Sequence, residues 1–383
     1  MNKWGKLTGI RPVKLIKEMI ISGSSDPVDD FMKEWGVSRE KALLSYDIAV
    51  RELNIMKNIT ENDIGLYIGI PFCRSRCAYC SFITDACINH TELYKPYVDM
   101  LKKEALYSKR LIDNAGFKVV AAYMGGGTPT ALPAPLIDEI LQTINSLFPD
   151  IREFTVEAGR ADTITEEKLK VIKNRGITRI CINPQTLSDD ILKIIGRNHT
   201  ADDFFKCFED AKSLGFEHIN TDLIAGLPCD NLSGFKKSLD KIIKLEPSSI
   251  TVHTLSVKRG SAIHEKPEIY PLPSDAEVGE MIDYSYKTLT KNGYNPYYLY
   301  RQKNMLGNLE NIGYAKPGYE SMYNIMMMEE ISTIISIGGG GVSKTVNNKE
   351  KRINRVFNFK EPHNYINGID EILGRKDEIF KNY

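Results

Sequence analysis

Residues 66–80, LYIGIPFCRSRCAYC, join a short apolar run to a loop that carries three cysteines. The run at 66–70 predicts a buried strand, because it is short, apolar and ends at a proline. Cys73, Cys77 and Cys80 follow directly in a C-x3-C-x2-C spacing. The chain has seven cysteines, an odd number, and such clustering favours a metal site over a disulfide framework.

The three cysteines match the chemistry of an iron–sulfur cluster. Thiolates are soft ligands, and a cuboidal [4Fe–4S] cluster presents four irons to be ligated. Three cysteines leave one iron without a protein ligand, and the amine and carboxylate of an amino acid can chelate it. A zinc site is the alternative, with Cys87 as the fourth ligand, but that spacing fits no common zinc pattern. The spacing therefore favours the cluster.

Strands and amphipathic helices alternate along the chain beyond this loop. The predicted strands lie at 66–70, 119–124, 153–157, 178–183, 218–224 and 249–256. The predicted helices lie at 92–112, 134–148, 165–174, 187–195, 201–214 and 232–244. This alternation predicts an α/β fold, a partial (β/α)6 TIM-like barrel of parallel strands. The strand ends carry polar or glycine-rich sequences, so we expect one shared site at the carboxyl ends of the strands.

The two flanks of this repeat differ from it. Residues 1–60 predict a small helical segment, with Ser38 as a helix cap, and 61–260 form the partial barrel. Residues 261–383 predict a mixed α+β element that covers the open side of the barrel, where substrate would lie. It contains a helix at 276–292, a strand at 296–302 and another at 331–337. The glycine run at 338–341 is either a flexible loop or a close approach to a ligand.

Composition excludes several classes of partner. Lys plus Arg and Asp plus Glu are 50 each, so no net charge attracts nucleic acid. No apolar run approaches the roughly 20 residues that span a bilayer. The N-terminus has no apolar core of a signal peptide. We therefore expect a cytoplasmic protein without a membrane span or a nucleic-acid partner.

Four segments carry a family resemblance. They are YIGIPFCRSRCAYCSF at 67–82, YMGGGTPTAL at 123–132, IGRNH at 195–199 and INTDLIAGLP at 219–228. Together they resemble the radical S-adenosylmethionine (SAM) superfamily, and within it the oxygen-independent coproporphyrinogen III oxidase group. Residues 4–12 and 297–318 resemble the HemZ, or coproporphyrinogen dehydrogenase, branch of that group.

The resemblance implies an activity in tetrapyrrole metabolism. SAM would be cleaved reductively at the [4Fe–4S] cluster, and propionates of coproporphyrinogen III would be decarboxylated oxidatively to vinyl groups in oxygen-independent haem biosynthesis. It also implies an electron donor such as flavodoxin or ferredoxin. Two alternatives stay open: a radical SAM haem methyltransferase of anaerobic haem degradation, and a haem-binding chaperone. His199 and His253 are the candidate haem ligands for the chaperone.

The resemblance also implies a set of residues around SAM. Gly126, Gly127 and Thr128 match the SAM-contacting loop of the family, although such a glycine run is often only a tight turn. Glu157 would bind the amino group of SAM and Arg197 its carboxylate. A solvated strand edge and an arginine at a helix end are the plainer interpretations of these two residues.

Four more positions complete the predicted site. Gln185 and Asp222 end strands and can bind ribose hydroxyls, as strand-end carboxylates do in nucleotide sites. Tyr67 and Tyr79 flank the cysteines at positions the family uses around SAM. Tyr67 is also the candidate catalytic residue, with core packing as its alternative.

Several features set this chain apart or stay open. Gly69 stands where many relatives carry His, and Ser81 and Phe82 follow Cys80, where well-studied oxidases have a further Cys two residues on. Both departures weaken the transfer of substrate chemistry. Cys87, Cys181, Cys207 and Cys229 are expected to be structural apolar residues. Tyr297, Tyr298 and Tyr300 with Arg301 and Lys303 would face a tetrapyrrole or fill an aromatic core.

Overall fold

The computed structural model describes residues 3–7, 11–82, 88, 90–347 and 352–380, and Cys87 lies outside them. In the described residues, eleven strands form one open sheet in the order β11-β10-β9-β1-β2-β3-β4-β5-β6-β8-β7. The strands are β1 Asp63–Ile70, β2 Lys118–Gly126, β3 Glu153–Gly159, β4 Arg179–Ile182, β5 His218–Ala225, β6 Ser249–Thr254, β7 Asn295–Tyr300, β8 Asn311–Ala315, β9 Ile334–Gly338, β10 Val342–Asn347 and β11 Arg352–Phe357.

The predicted α/β class and its parallel core are confirmed. β1 to β6 pair in chain order and in parallel, as the six predicted strands require. β9 adds a seventh parallel strand beside β1, with Gly65 opposite Ile334. β1 is buried on both faces because it has strands on either side and helices packed over it, which explains its almost continuous apolar run.

Helices precede, connect and follow the strands. They are α1 Pro12–Ile21, α2 Pro27–Trp35, α3 Arg39–Met56, α4 Tyr94–Asn114, α5 Ala134–Leu147, α6 Glu166–Asn174, α7 Asp189–Ile194, α8 Ala201–Ser213, α9 Leu232–Lys244, α10 Ala262–Glu265, α11 Asp275–Lys291, α12 Met322–Glu329, α13 Pro362–Asn367 and α14 Ile369–Phe380. Ser38 caps α3, as predicted, by accepting a hydrogen bond from the Lys41 amide. Among the helices of the described residues, none is both long enough and apolar enough to cross a membrane.

Strands from the last third of the chain extend the sheet at both edges. β8 pairs antiparallel with β6, and β7 with β8. At the other edge β10 pairs antiparallel with β9, and β11 with β10. α3 packs against β7, and a buried ion pair between Lys41 and Glu310 joins α3 to the loop before β8. The division of the chain at residues 60 and 260 stays a prediction.

A buried group of polar side chains holds the glycine turn after β9 in place. We call it the Glu104 cluster, and its members are Tyr97, Glu104, Asn358, Tyr365 and Lys376. The carboxylate of Glu104 accepts hydrogen bonds from the Gly338 amide, the Asn358 amide group and the Tyr365 hydroxyl. Lys376 Nζ lies 3.0 Å from the same carboxylate. The glycine turn is thus packed scaffold.

The same turn explains why position 69 carries no side chain. Tyr97 donates its hydroxyl to the Gly69 carbonyl and accepts from the Gly339 amide, which clamps β1 to the turn. A Cβ atom at Gly69 would lie 2.7 Å from the Gly339 carbonyl oxygen, closer than real contacts allow. The space that a histidine would occupy is therefore filled by backbone.

Of the three remaining described cysteines, Cys207 fits its predicted role, because it is buried in the apolar core. Cys181 is also buried, but it lies beside the polar side chains of Glu157, Asp222 and Arg179. The prediction is wrong for Cys229, which is exposed. It lies in a turn after β5, where its backbone has a φ of 62°.

Candidate functional site

The three cysteines lie on the loop that leaves β1 at the carboxyl end of the sheet. Backbone hydrogen bonds fix this loop: the Thr128 amide donates to the Phe72 carbonyl at 2.8 Å, and the Ala78 amide to the Ile195 carbonyl at 3.0 Å. Cys73 and Cys77 are buried and Cys80 is half-buried. The loop therefore presents its thiols from a fixed backbone.

Polar groups contact two of the sulfurs. Thr128 Oγ1 lies 3.3 Å from the Cys73 Sγ, and Arg160 Nη1 donates to the Cys77 Sγ at 3.7 Å. Burial raises the pKa of the Cys73 thiol to about 12, although the Thr128 hydroxyl opposes the shift. This thiol must lose its proton to ligate a metal, so metal binding here would release a proton.

The donor set fits a cluster better than a single ion. In the part of the chain that the structure describes, no three His, Cys, Asp or Glu side chains converge tightly enough to hold one metal ion. A four-iron cube holds its cysteine sulfurs much farther apart than one tetrahedral ion does. Three thiols on one rigid loop therefore suit a [4Fe–4S] cluster with one iron left for another ligand.

Two glycines form a close-packed cradle beside this loop. A Cβ atom at Gly127 would lie 2.5 Å from the Phe72 carbonyl oxygen. Gly126 has a φ of 113°, where only glycine is free of strain. The turn predicted from GGGTP thus brings the backbone of β2 against the cysteine loop, with Thr128 reaching Cys73.

Glu157 points to the interior of the open barrel from the end of β3. It accepts a hydrogen bond from the Tyr123 hydroxyl. Burial, helped by the negative charge of Asp222, raises the pKa of Glu157 to about 7, although the hydrogen bond from Tyr123 opposes the shift. Tyr67 stacks on Tyr123, with 6.3 Å between ring centroids. Tyr67 is therefore part of an aromatic layer beside Glu157.

Gln185 and Asp222 are brought together, as the sequence predicted. The backbone amide of Gln185 donates to the backbone carbonyl of Asp222 at 2.9 Å. Gln185 has a φ of 68°. The Asp222 carboxylate accepts from Asn220 at 2.7 Å and lies 3.5 Å from the His253 Nε2. These strand ends thus carry a compact polar group.

Arg197 binds strand ends, contrary to the helix-end alternative. Its Nη2 donates to the Asn183 carbonyl at 2.7 Å, and its Nη1 to the Tyr79 hydroxyl at 3.0 Å. Its Nε has no partner. Only one edge of the guanidinium is therefore available to a carboxylate.

Several buried polar atoms, including the Nε of this arginine, have no hydrogen-bond partner. They are Asn183 Oδ1, Gln185 Oε1, Arg197 Nε and both ring nitrogens of His199. We call these four residues the mouth cluster. A buried polar atom without a hydrogen bond is costly, so such atoms indicate a bound ligand or water. Burial lowers the pKa of His199 to about 4, so its ring is neutral at pH 7.

Two cavities meet beneath the cysteine loop. The mouth cavity, of about 160 Å³, is bordered by Tyr79, Cys80 and Lys258. An inner cavity of about 230 Å³ lies inside the sheet and is bordered by Glu157 and Asp222 among others. His253 and Tyr300 border both cavities. On β7, Tyr297 and Tyr298 are buried and also line the inner cavity. These two tyrosines therefore both pack in the core and border the cavity.

The sequence did not single out Arg160, Asp162, Asn183 or Lys258. Arg160 lies three positions after Glu157, in the polar sequence VEAGR at 156–160 that ends β3. Its position directly after β3 was the available signal. Nothing in the pattern indicated that its guanidinium turns toward Cys77.

Comparison with known proteins agrees with this geometry. Residues 67–242 match the model of the radical SAM superfamily. The oxygen-independent coproporphyrinogen-III oxidase-like protein HemZ of Bacillus subtilis is 42% identical, over 99% of this chain and 78% of its own length. The haem chaperone HemW of B. subtilis is 30% identical, over 68% of this chain and 65% of its own.

A solved structure shares the fold. Coproporphyrinogen III oxidase (HemN) of Escherichia coli matches with a TM-score of 0.64 at 21% identity, over 86% of this chain and 72% of the other. The radical SAM superfamily uses a [4Fe–4S] cluster and SAM. The chain belongs to the radical SAM superfamily and, within it, to the HemZ-type coproporphyrinogen-III oxidase-like proteins.

Proposed function

We propose that this chain is a radical SAM enzyme that decarboxylates propionates of coproporphyrinogen III to vinyl groups. The observation that carries the proposal is the mouth cavity, because it joins Cys80 and Tyr79 of the cysteine loop to a half-buried cation, Lys258. A substrate arm in this cavity would lie beside the cysteine loop with its charged end on Lys258.

Each group of residues has a role in this proposal. Cys73, Cys77 and Cys80 would hold the [4Fe–4S] cluster. Gly126, Gly127 and Thr128, together with the mouth cluster, Glu157 and Asp222, would hold SAM. When bound, the cluster and SAM supply an electron and an organic radical able to remove a hydrogen atom from an unactivated carbon.

The dimensions of the mouth cavity favour one arm of a large substrate. A volume of about 160 Å³ accepts a propionate side chain, whereas a whole macrocycle would stay outside. Lys258 also lies over the exposed ring of Phe82, 4.9 Å from its centroid, so an aromatic face and a cation are adjacent at the rim. A macrocycle with anionic arms presents the complementary features.

The reaction also places demands that residues near the cavity meet. Removing one hydrogen atom and carbon dioxide leaves one further electron to be passed to an external acceptor. Tyr79 and Leu255 give the mouth cavity apolar walls, and such walls exclude water from a reactive intermediate. His253 and Tyr300 would position the arm through hydrogen bonds.

The experiment is anaerobic turnover with cluster-reconstituted protein, SAM, dithionite, coproporphyrinogen III and an electron acceptor, with products separated by mass. We expect loss of carbon dioxide and two hydrogens for each propionate, and no product with Cys77→Ala. Lys258→Met should raise KM, since the cation is lost, and the exposed Lys266→Met should leave it unchanged. Cysteine-dependent SAM cleavage with intact tetrapyrrole would contradict the substrate and keep the radical chemistry.

A second candidate is a haem-binding chaperone, favoured by the similarity to HemW. His253 is the accessible candidate ligand because it borders both cavities, whereas His199 is buried. Stoichiometric haem binding that His253→Ala abolishes, without any turnover of coproporphyrinogen III, would favour this candidate over the oxidase.

A further inference from the structure

Arg160 is held rigidly against the cysteine loop. It follows β3 directly and is only 3% exposed. Its Nε and Nη2 each donate to the Asp162 carboxylate at 3.0 Å, and its Nη1 donates to the Ser75 carbonyl at 3.0 Å. The same Nη1 reaches the Cys77 sulfur at 3.7 Å. A planar guanidinium fixed on both edges cannot swing away from that sulfur.

The ion pair between Arg160 and Asp162 has a fixed orientation relative to Cys77. Asp162 lies behind the guanidinium and Cys77 in front of it, so the positive end of the ion pair faces the sulfur. The Asp162 backbone carbonyl accepts from Arg74 at 2.7 Å, and His199 Nδ1 lies 4.0 Å from its carboxylate. The pair is therefore anchored on two sides, and it differs from Arg197, which contacts Tyr79 and strand ends.

We propose that Arg160 sets the reduction potential of the cluster held by Cys73, Cys77 and Cys80, raising it through its charge and its bond to the Cys77 thiolate. This inference rests on the part of the proposed function that assigns the cluster to these cysteines. Reduction adds a negative charge to the cluster, and a buried cation with an N–H bond to a ligand sulfur stabilises that charge. Arg160 is thus a positioning residue for electron entry.

Asp162 has the opposite effect in the same geometry. Its carboxylate neutralises part of the Arg160 charge that Cys77 experiences. Removing the carboxylate charge should therefore raise the potential, while removing the guanidinium should lower it. Opposite signs from two adjacent substitutions are a signature that a purely structural role would not give.

The test is a redox titration of cluster-reconstituted protein followed by electron paramagnetic resonance, without SAM or tetrapyrrole. Arg160→Gln should shift the reduction equilibrium by about tenfold toward the oxidised cluster, which is 59 mV for a one-electron couple. Asp162→Asn should shift it the other way, and Arg160→Lys should fall between Arg160→Gln and the unmodified protein. The matched control is Arg175→Gln, which removes an equivalent two-bond ion pair to Asp138 between α5 and α6. It should leave the potential unchanged.

Other outcomes would overturn the inference. If Arg160→Gln takes up a full cluster and its reduction potential equals that of the unmodified protein, this inference is overturned and the proposed function stands. If Arg160→Gln takes up no cluster, Asp162→Asn decides, and an unchanged or lowered potential in it overturns the inference. Failure of the unmodified chain to bind any cluster would overturn this inference together with the proposed function.

Discussion

Two buried polar groups in this molecule differ in how far their hydrogen bonds are satisfied. In the Glu104 cluster both carboxylate oxygens of Glu104 have partners, from Asn358, Tyr365, Lys376 and the Gly338 amide. In the mouth cluster, atoms of Asn183, Gln185, Arg197 and His199 have none. Both groups pack against the same sheet, one beside β9 and one beyond the carboxyl end of β4.

This difference distinguishes a structural cluster, around Glu104, from a candidate binding site, the mouth cluster. An unsatisfied buried donor or acceptor costs about 1–3 kcal/mol, so a fold keeps several together only where something compensates. The Glu104 cluster is complete within the chain and holds the glycine turn against β1. The mouth cluster keeps unpartnered polar atoms, and in the proposed function the nucleoside and amino-acid tail of SAM would supply donors and acceptors to them.

Substitution of Glu104 tests the scaffold side with the largest expected effect. Glu104→Gln removes the charge that balances buried Lys376, so we expect the free energy of unfolding to fall by about 3–5 kcal/mol. Urea denaturation measures it. Glu139→Gln is the control, since Glu139 pairs with Lys102 and Lys95 at the surface and should cost less than about 1 kcal/mol. Equal losses in the two variants would contradict a scaffold role for Glu104.

The pH dependence of stability tests the site side. Burial raises the pKa of Glu157 from 4.5 to about 7 in the folded protein. Between these values the folded protein keeps a proton that the unfolded chain has lost, so stability falls as pH rises. The total loss for this carboxyl is about 3 kcal/mol. The groups that face it are Tyr123 on β2, Asp222 on β5 and His253 on β6.

The measurement compares unfolding of the ligand-free protein and of Glu157→Gln across pH 4.5 to 7. The variant should lack this part of the decline, because it carries no carboxyl that titrates. Identical pH profiles for the two proteins would mean that Glu157 is well solvated.

Much of the fold could be predicted because it depends on local patterns. Alternating apolar runs and amphipathic helices gave β1 to β6 and the helices between them, with bounds within a few residues. The short helix α2 was missed, although Asp26 caps it and Pro27 begins it. The pairing of β9 with β1 was also missed, because pairing between distant segments produces no periodic pattern in either sequence.

The site was predictable in its residue types and not in its orientations. The cysteine spacing and the polar strand ends located Cys73, Gln185 and Asp222, which the fold brings to one end of the sheet. The direction of Arg160, and the backbone that fills the space at Gly69, depend on tertiary packing. Neither has a sequence signature in a single chain.

Substitution of Gln185 has the smallest expected effect on stability. Gln185→Met keeps an unbranched side chain at a φ of 68°, so backbone strain should not change. It removes the unpartnered Oε1, so the ligand-free protein should be as stable as before or more stable by about 1 kcal/mol. SAM affinity of the cluster-loaded protein, measured by equilibrium dialysis, should fall about tenfold, which is 1.4 kcal/mol.

The control for this substitution is Gln142→Met on the exposed face of α5, which should change neither quantity. A loss of stability in Gln185→Met with unchanged SAM affinity would make the mouth cluster scaffold, as the Glu104 cluster is. Unchanged stability with weakened SAM binding would instead show that Gln185 is maintained for the ligand. A residue that costs the empty fold stability and benefits only the complex is the physical mark of a binding site.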